Sequence, residues 1–519
     1  MFLSYSMAVH GARRFLDLVR KPGKSMTDRA LRAGFWSVLL RSSMRLIAFI
    51  RNVVLARLLA PDDFGLFGIA LVMLSIVERF SSTGLRGAII QKKADIGDYL
   101  DTAFTIQAFR GACLAAMLWL SAPYAAQFFG EPRATPFIQL LGITVLLRGV
   151  RNIGLIYYTR ELEVQRQNVH TVVSDIVELL VSIVAAILLR NAWALMIGVL
   201  AGNVTSMVVS YVMHPYRPRL SLNLDKAREL SRYGRWIFLS HILSFLAYRG
   251  DNFIIGKLLG APALGIYLLA FSISEAATVG ISQMMTSVAF PAYSRIQGEQ
   301  ARVQRAFSLA VDLVASLTMP AAVVLWLLAE PITLVVLGDR WLQVAFVLPP
   351  LAFAGVIRTL VSNGTTVYKA VGRPDRAFLV SLATVIATYT AIFPLIQLYG
   401  LVGVGMAVLF GQLATIPVFL AQMWKILGVD WRSFVRMLMP AGVLGLAVAL
   451  PVVVMDTFIE HFAIIELGLT LLLVSLSYLA AAVGLWQIKG EGPLRLLHMV
   501  AGKRPPRKVA ASELSGSTT

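Results

Sequence analysis

Cysteine is almost absent. Cys113 stands alone in 519 residues, which excludes an internal disulfide and a thiolate metal cage. Charge is scarce as well, at 14% of residues against 57% hydrophobic, and a mean hydropathy of +0.73 is too apolar for a soluble globule. Acidic residues are the scarcer sign, 28 against 47 Lys and Arg. The net charge of +19 would suit nucleic acid if it were clustered. It is instead spread over short loops between apolar runs, the pattern of the positive-inside rule, so no nucleic-acid partner is expected. The six histidines are scattered, and no HExxH, CxxC or carboxylate-rich loop offers a metal site. There is no P-loop, nucleophile elbow or Ser, His and Asp grouping, so the chain is not expected to be an enzyme, to hold a cofactor or to bind ATP.

What is abundant is apolar sequence in runs long enough to cross a bilayer. At about 20 residues per crossing, these runs predict an all-α polytopic membrane protein of about 14 transmembrane helices. Residues 34–213 hold an N-lobe of six spans, residues 235–424 a C-lobe of six, and residues 425–486 two more. Residues 331–338 are a candidate re-entrant piece. Residues 1–33 carry Arg13, Arg14, Arg20, Lys21, Lys24, Arg29 and Arg32 without the apolar core of a secretory signal, which predicts a basic cytoplasmic arm on anionic lipid. Residues 214–234 read as an amphipathic cytoplasmic linker between lobes and residues 487–519 as a polar cytoplasmic tail. Basic residues recur on alternate loops, at Lys92 and Lys93, Arg160 and Arg166, Arg217 to Arg235, Arg295 to Arg305, Lys369 to Arg376 and Lys425 to Arg436. The turns at Pro61, Asn191, Gly260, Tyr399 and Asp456 are nearly free of them. Both termini are therefore expected in the cytoplasm, and the short outside loops leave no room for a folded external domain.

The first span is unusual because Arg41, Arg45, Arg51 and Arg57 lie within it. Each guanidinium at a helix centre costs roughly 2.5–3.5 kcal/mol of insertion free energy, so this helix needs partners, water or a ligand. At about 100° per residue Arg41, Arg45 and Asn52 share a narrow sector, with Arg51 at its edge and Arg57 pointing away. The same stretch recurs: RNVVLARLLAPDDFGLF from Arg51 aligns without gaps to DNFIIGKLLGAPALGIY from Asp251. Asn52 falls on Asn252, Arg57 on Lys257, Gly65 on Gly265 and Phe67 on Tyr267, each at an offset of 200 residues. This is an internal duplication of the kind built into transporters, and the even number of spans per half relates the copies by an axis along the membrane normal.

Other charges fall at membrane depth. Matched depth on antiparallel spans predicts pairs of Arg151 with Asp175 and of Arg148 with Glu178, as glue within the N-lobe. Glu78, Arg79, Arg86 and Arg110 add further charges in that half. In the C-lobe His241, Tyr248 and Asn252 share a helical face, with Arg249 and Asp251 at its borders. An Arg51 to Asp251 contact is a candidate gate. Asp251, Glu275 and Asp312 are candidates for ion coupling, since a carboxylate in apolar surroundings can exchange protons or, with carbonyls, hold sodium. The plainer alternative is pairing of Glu275 or Asp312 with Arg358.

The stretch from Leu55 to Phe104, LARLLAPDDFGLFGIALVMLSIVERFSSTGLRGAIIQKKADIGDYLDTAF, resembles the amino-terminal signature of polysaccharide transporters, the branch of Wzx-type flippases. These belong to the multidrug, oligosaccharidyl-lipid and polysaccharide exporter superfamily. The likeness continues through LGDRW at Leu337 and KAVGRPDR at Lys369. It implies two six-helix lobes around a central cavity, two extra helices and alternating access in a bacterial inner membrane. It also implies a cargo, an oligosaccharide repeat unit on a polyprenyl diphosphate, with membrane lipids, H+ or Na+ and the polysaccharide polymerase machinery as further partners. On that reading Arg41 and Arg45 contact the diphosphate, because guanidinium forks match phosphate oxygens. Arg51, Arg86 and Arg249 supplement the field, and His241, Tyr248, Asn52 and Asn252 meet sugar or phosphate. A lipid II flippase or a multidrug exporter would share the fold, although an arginine-rich lumen suits drug cations poorly. A membrane glycosyltransferase or polysaccharide ligase would share the cargo, but needs a large outside loop and paired carboxylates that are missing.

Overall fold

The computed structural model describes residues 26–80, 89, 96–161, 163–225, 243, 245–247, 249–456 and 464–489. Among these residues there are helices and turns and no strand. Helix α1, Met26–Leu58, has 33 residues and is about 50 Å long at 1.5 Å per residue, so it outruns a hydrocarbon core of about 30 Å. It ends where Pro61 opens α2, Pro61–Phe80, with Asp62 and Asp63 in the first turn. Proline gives up no needed donor there, and the carboxylates face the positive helix end. Asp63 also accepts a hydrogen bond from the Ala60 amide at 3.0 Å, which locks the turn. The first half continues with α3, Gly97–Phe129, α4, Thr135–Gly149, the short α5, Ile156–Arg160, α6, Val164–Leu189, and α7, Trp193–Met213. A break of 63° separates α4 from the stretch that holds α5.

The second half begins with α8, residues 249–258, followed by α9, Gly260–Arg295, and α10, Gln300–Leu327. The candidate re-entrant piece is the short α11, Ala329–Ile332, running into a π-helical turn, Thr333–Leu337. Then come α12, Gln343–Ala370, α13, Pro374–Leu427, α14, Trp431–Asp456, and α15, Ile464–Lys489. With 54 residues, α13 would be about 80 Å long if straight. It is folded at Gly400, whose φ of 57° and ψ of −130° suit only glycine. Thr384 and Thr415 share a hydroxyl hydrogen bond of 2.8 Å, Gly411 packs on Thr388 and Gly403 on Leu395. These pairs converge on Gly400, so α13 is an antiparallel hairpin. Asp430 caps α14 by accepting from the Ser433 amide at 2.9 Å. The hydrogen bonds from Ser433 hold its carboxyl below the ordinary carboxylate range.

Among the described residues nine helices are long and apolar enough to cross a membrane, or ten if the bent pair around α4 and α5 is one span, against the fourteen crossings expected. Two features lower the count. The charges of α2 keep that helix out of it, and α13 enters once although it is a hairpin.

The duplication appears as reciprocal contacts between α2 and α9. Gly65 lies against the Ala261 carbonyl, and Gly265 lies against the Pro61 carbonyl, so closely that a Cβ on either glycine would collide with backbone. Positions 61 and 65 thus touch positions 265 and 261, as a two-fold axis requires. The basic pair follows the same rule. Arg57 donates to the carbonyls of Leu334, Val335 and Val336, and Lys257 donates to the Phe128 carbonyl at 2.5 Å while standing 4.4 Å from that ring. Each cation meets chain-end carbonyls of the opposite half, where a helix C-terminus is negative. Trp341, fully buried, donates to the Ala56 carbonyl at 2.7 Å at the same end. The lobes are shut together there.

The chain leaving α7 runs extended along the start of α3. Tyr216 donates to Asp101 at 2.5 Å, the Arg219 amide meets the same carboxylate at 2.9 Å, and Ser221 exchanges two bonds with Thr105. Burial and the Asp101 carboxylate push the Tyr216 phenol above its ordinary value. The rest of the expected linker helix, residues 226–234, lies outside the described residues, as do 1–25 of the basic arm and 490–519 of the tail.

Candidate functional site

Between the lobes lies a cavity of about 280 Å³. On α2 the residues at helical spacing Leu71, Ser75, Glu78 and Arg79 face it. Arg249 and Asn252 on α8, with Phe245 and Leu268, close the other side. Two guanidiniums, a carboxylate and an amide therefore meet in one space from both halves. Polar groups at this depth are tolerated because they face a cavity rather than lipid.

The C-lobe side is a compact charge cluster. Glu275 on α9 stands 3.9 Å from Arg249 and 3.8 Å from Arg358 of α12. One turn before it, the Phe271 ring lies 5.3 Å from Arg249 and 5.1 Å from Arg358, so the cations share a ring as well as a carboxylate. Arg358 is buried. Asp251 is buried too and accepts from the Tyr267 hydroxyl and, at 2.9 Å, from the Asn252 amide. Asp312 accepts from Ser316 at 3.2 Å within α10.

On the N-lobe side Arg148 donates to Glu78 at 2.9 Å and to Asn203 at 2.8 Å. Arg51 forms an ion pair with Glu178, and Asp175 acts on Arg51 electrostatically. Asn52 reaches across to Ser272 at 3.1 Å. Its counterpart Asn252 lines the cavity, as does Val72.

The expected pairings need correction. Arg148 bonds Glu78 rather than Glu178, Arg151 donates to Ser206 at 3.2 Å, and Glu178 belongs to Arg51. Depth and helical phase are the coordinates available from sequence, and Glu78, Glu178 and Asp175 compete at similar depth. The Arg51 to Asp251 gate contact is not made in this conformation, because Arg51 is held by Glu178 and Asp251 by Tyr267. The alternative pairing of Glu275 with Arg358 is present. Arg45 is half-buried on α1. The side chain of Arg41, and Arg86, His241 and Tyr248 altogether, lie outside the described residues. Sequence reasoning noted Glu78 and Arg79 as buried charges without placing them at the cavity. It missed Phe271, whose only signal is its position four residues before Glu275.

Known proteins are similar over most of this length. The Rhizobium meliloti (strain 1021) succinoglycan biosynthesis transport protein ExoT is 22% identical over 429 residues, which is 82% of this chain and 86% of that protein. The Escherichia coli (strain K12) lipopolysaccharide biosynthesis protein WzxC is 22% identical over 416 residues, 79% of this chain and 84% of that one. Among solved structures, the lipid II flippase MurJ in its inward closed conformation superposes with a TM-score of 0.68 at 12% identity, covering 87% of this chain and 99% of that chain. An inward-facing multidrug resistance MATE transporter gives 0.58 at 16% identity, with 74% and 94% covered. These two establish the likeness of fold. Residues 54–346 match the family described as polysaccharide biosynthesis protein, and because that match spans more than half of the chain, this protein belongs to that family.

Proposed function

We propose that this protein moves polyprenyl-diphosphate-linked oligosaccharide repeat units across the bacterial inner membrane, as the flipping step of exopolysaccharide, capsule or O-antigen synthesis. The observation that carries the reading is the interlobe cavity, which faces Arg79 from one lobe and Arg249 from the other onto a common polar space. A diphosphate at membrane depth needs fixed cations, and guanidiniums supply paired donors without losing charge. Family membership and the named transport role of the succinoglycan relative support the same cargo class.

In this reading Arg41 and Arg45 on α1 and Arg249 on α8 contact the diphosphate, with Arg86 adding to the field. Arg51 contributes once Glu178 releases it, and Asn52, His241, Tyr248 and Asn252 meet sugar or phosphate. The 280 Å³ cavity has room for several waters and so for a diphosphate. In this reading the lobes part to pass the larger repeat unit. Asp251, Glu275 and Asp312 are the groups through which H+ or Na+ would couple to that motion. The distribution of basic loops supports cytoplasmic termini, and the product is handed to polymerase machinery outside.

The test is the content of lipid-linked oligosaccharide in a strain lacking the protein, beside strains restored with wild type, Arg45→Ala or Arg249→Ala. The expected result is accumulation of a complete repeat unit on its polyprenyl diphosphate, cleared by wild type and not by either variant at equal abundance. If no such lipid builds up and only drug tolerance changes, the cargo is wrong.

A further inference from the structure

A second polar pocket, of about 110 Å³, lies wholly within the first half, where α3, the end of α4, the turn before α5 and the start of α6 meet. Its polar lining is Gln107, Arg148, Arg151, Asn152 and His170, above an aliphatic floor. Two guanidiniums and a buried imidazole converge there, and the carboxylate bonded to Arg148 is Glu78, which lines the interlobe cavity instead.

The obstacle to an anion at this place is the C-terminus of α4, whose last carbonyls carry negative partial charge. Gln107 offsets part of it. Its side-chain amide lies 3.3 Å from the Arg148 carbonyl, 2.9 Å from the Gly149 carbonyl and 3.4 Å from the Arg151 carbonyl, so the chain end is partly screened. A guanidinium has five N–H donors. Arg148 commits Nε to Asn203 and Nη1 to Glu78, which leaves donors in its fork for a ligand. The space of about 110 Å³ has room for several waters and so for a tetrahedral oxyanion.

We propose that this pocket is a binding site for a single phosphoryl group, distinct from the interlobe cavity. Arg148 and Arg151 supply charge-assisted hydrogen bonds, and Gln107 offsets part of the negative charge of the helix end. The group is either free phosphate or the head of a membrane phosphate. Occupancy draws on the same Arg148 that holds Glu78, so the pocket and the cavity share one ion pair.

The experiment is site-resolved labelling of the purified full-length protein with phenylglyoxal, which modifies arginine, read by peptide mass spectrometry with and without inorganic phosphate. Saturable protection of Arg148 and Arg151 is expected. In Arg151→Gln the phosphate needed to protect Arg148 rises about tenfold or more, since a charged donor is lost. Both arginines unprotected at high phosphate, or protection confined to Arg249, overturns the proposal and leaves the cargo reading standing. A parallel arm uses phosphatidylcholine nanodiscs with and without phosphatidic acid. Protection by phosphatidic acid alone supports the site with a lipid head group in it, and protection by inorganic phosphate alone supports it with free phosphate. The wild-type result decides even if Arg151→Gln does not fold.

Discussion

At the scale of single residues, the separations around Glu275 decide how much its cluster is worth. Both guanidiniums stand 3.8–3.9 Å away, beyond hydrogen-bond length, and Glu275 is half-buried, so the pair falls short of the 3–5 kcal/mol lost when a well-formed buried one is broken. Contact with the Phe271 ring adds an attraction of about 0.5–2 kcal/mol that does not need Glu275. A double-mutant cycle of Glu275→Gln and Arg358→Met separates the two. Thermal unfolding of the four proteins is expected to give a coupling energy of about 1–2 kcal/mol. A coupling below about 0.5 kcal/mol would mean that Glu275 does not hold Arg358. Sequence could list these charges but not their partners. Helical phase and depth narrow a side chain to a sector, and the choice among Glu78, Glu178 and Asp175 depends on how helices rotate against one another, as Arg148 and Arg51 illustrate.

At the scale of elements, the turn that folds α13 rests on one glycine. Gly400 has φ 57° and ψ −130° and no heavy atom within 4 Å of where a Cβ would sit, so a side chain there meets backbone strain and no neighbour. Gly400→Ala is expected to lower stability by about 1–3 kcal/mol. Gly442 on α14 also has open space around it, at ordinary helical φ, and Gly442→Ala should be neutral or stabilise by up to about 1 kcal/mol. Equal effects of the two in a thermal unfolding series would show that Gly400 does not define the hairpin. This element was legible in advance, because a Tyr-Gly turn without basic residues separates two apolar runs at Tyr399. The π-helical turn at Thr333–Leu337 was not, since nothing local in an apolar pentapeptide distinguishes it from α-helix.

At the scale of the whole molecule, the 200-residue offset in sequence predicts a symmetry, and the contacts of Gly65 with Ala261 and of Gly265 with Pro61 realise it. What sequence could not supply is which end of the cavity is shut. That depends on Arg57 and Lys257 reaching carbonyls of opposite lobes. Cations at helix ends contribute about 0.3–1 kcal/mol each when exposed, and the fully buried Trp341 packs at the same end, so this end is held by many contacts of which the two cations are a small part. Removing one cation shifts the closure too little to read, whereas preventing separation should stop transport. In a Cys113→Ser background, which leaves no native thiol, Arg57→Cys with Val336→Cys and Lys257→Cys with Phe128→Cys are joined by a reducible bifunctional reagent. Clearance of lipid-linked oligosaccharide by the cross-linked proteins is expected to fall to background and to return on reduction. Thr384→Cys with Thr415→Cys, cross-linked within the α13 hairpin, should leave it unchanged. Normal clearance with either interlobe link in place would mean that the lobes do not part at this end.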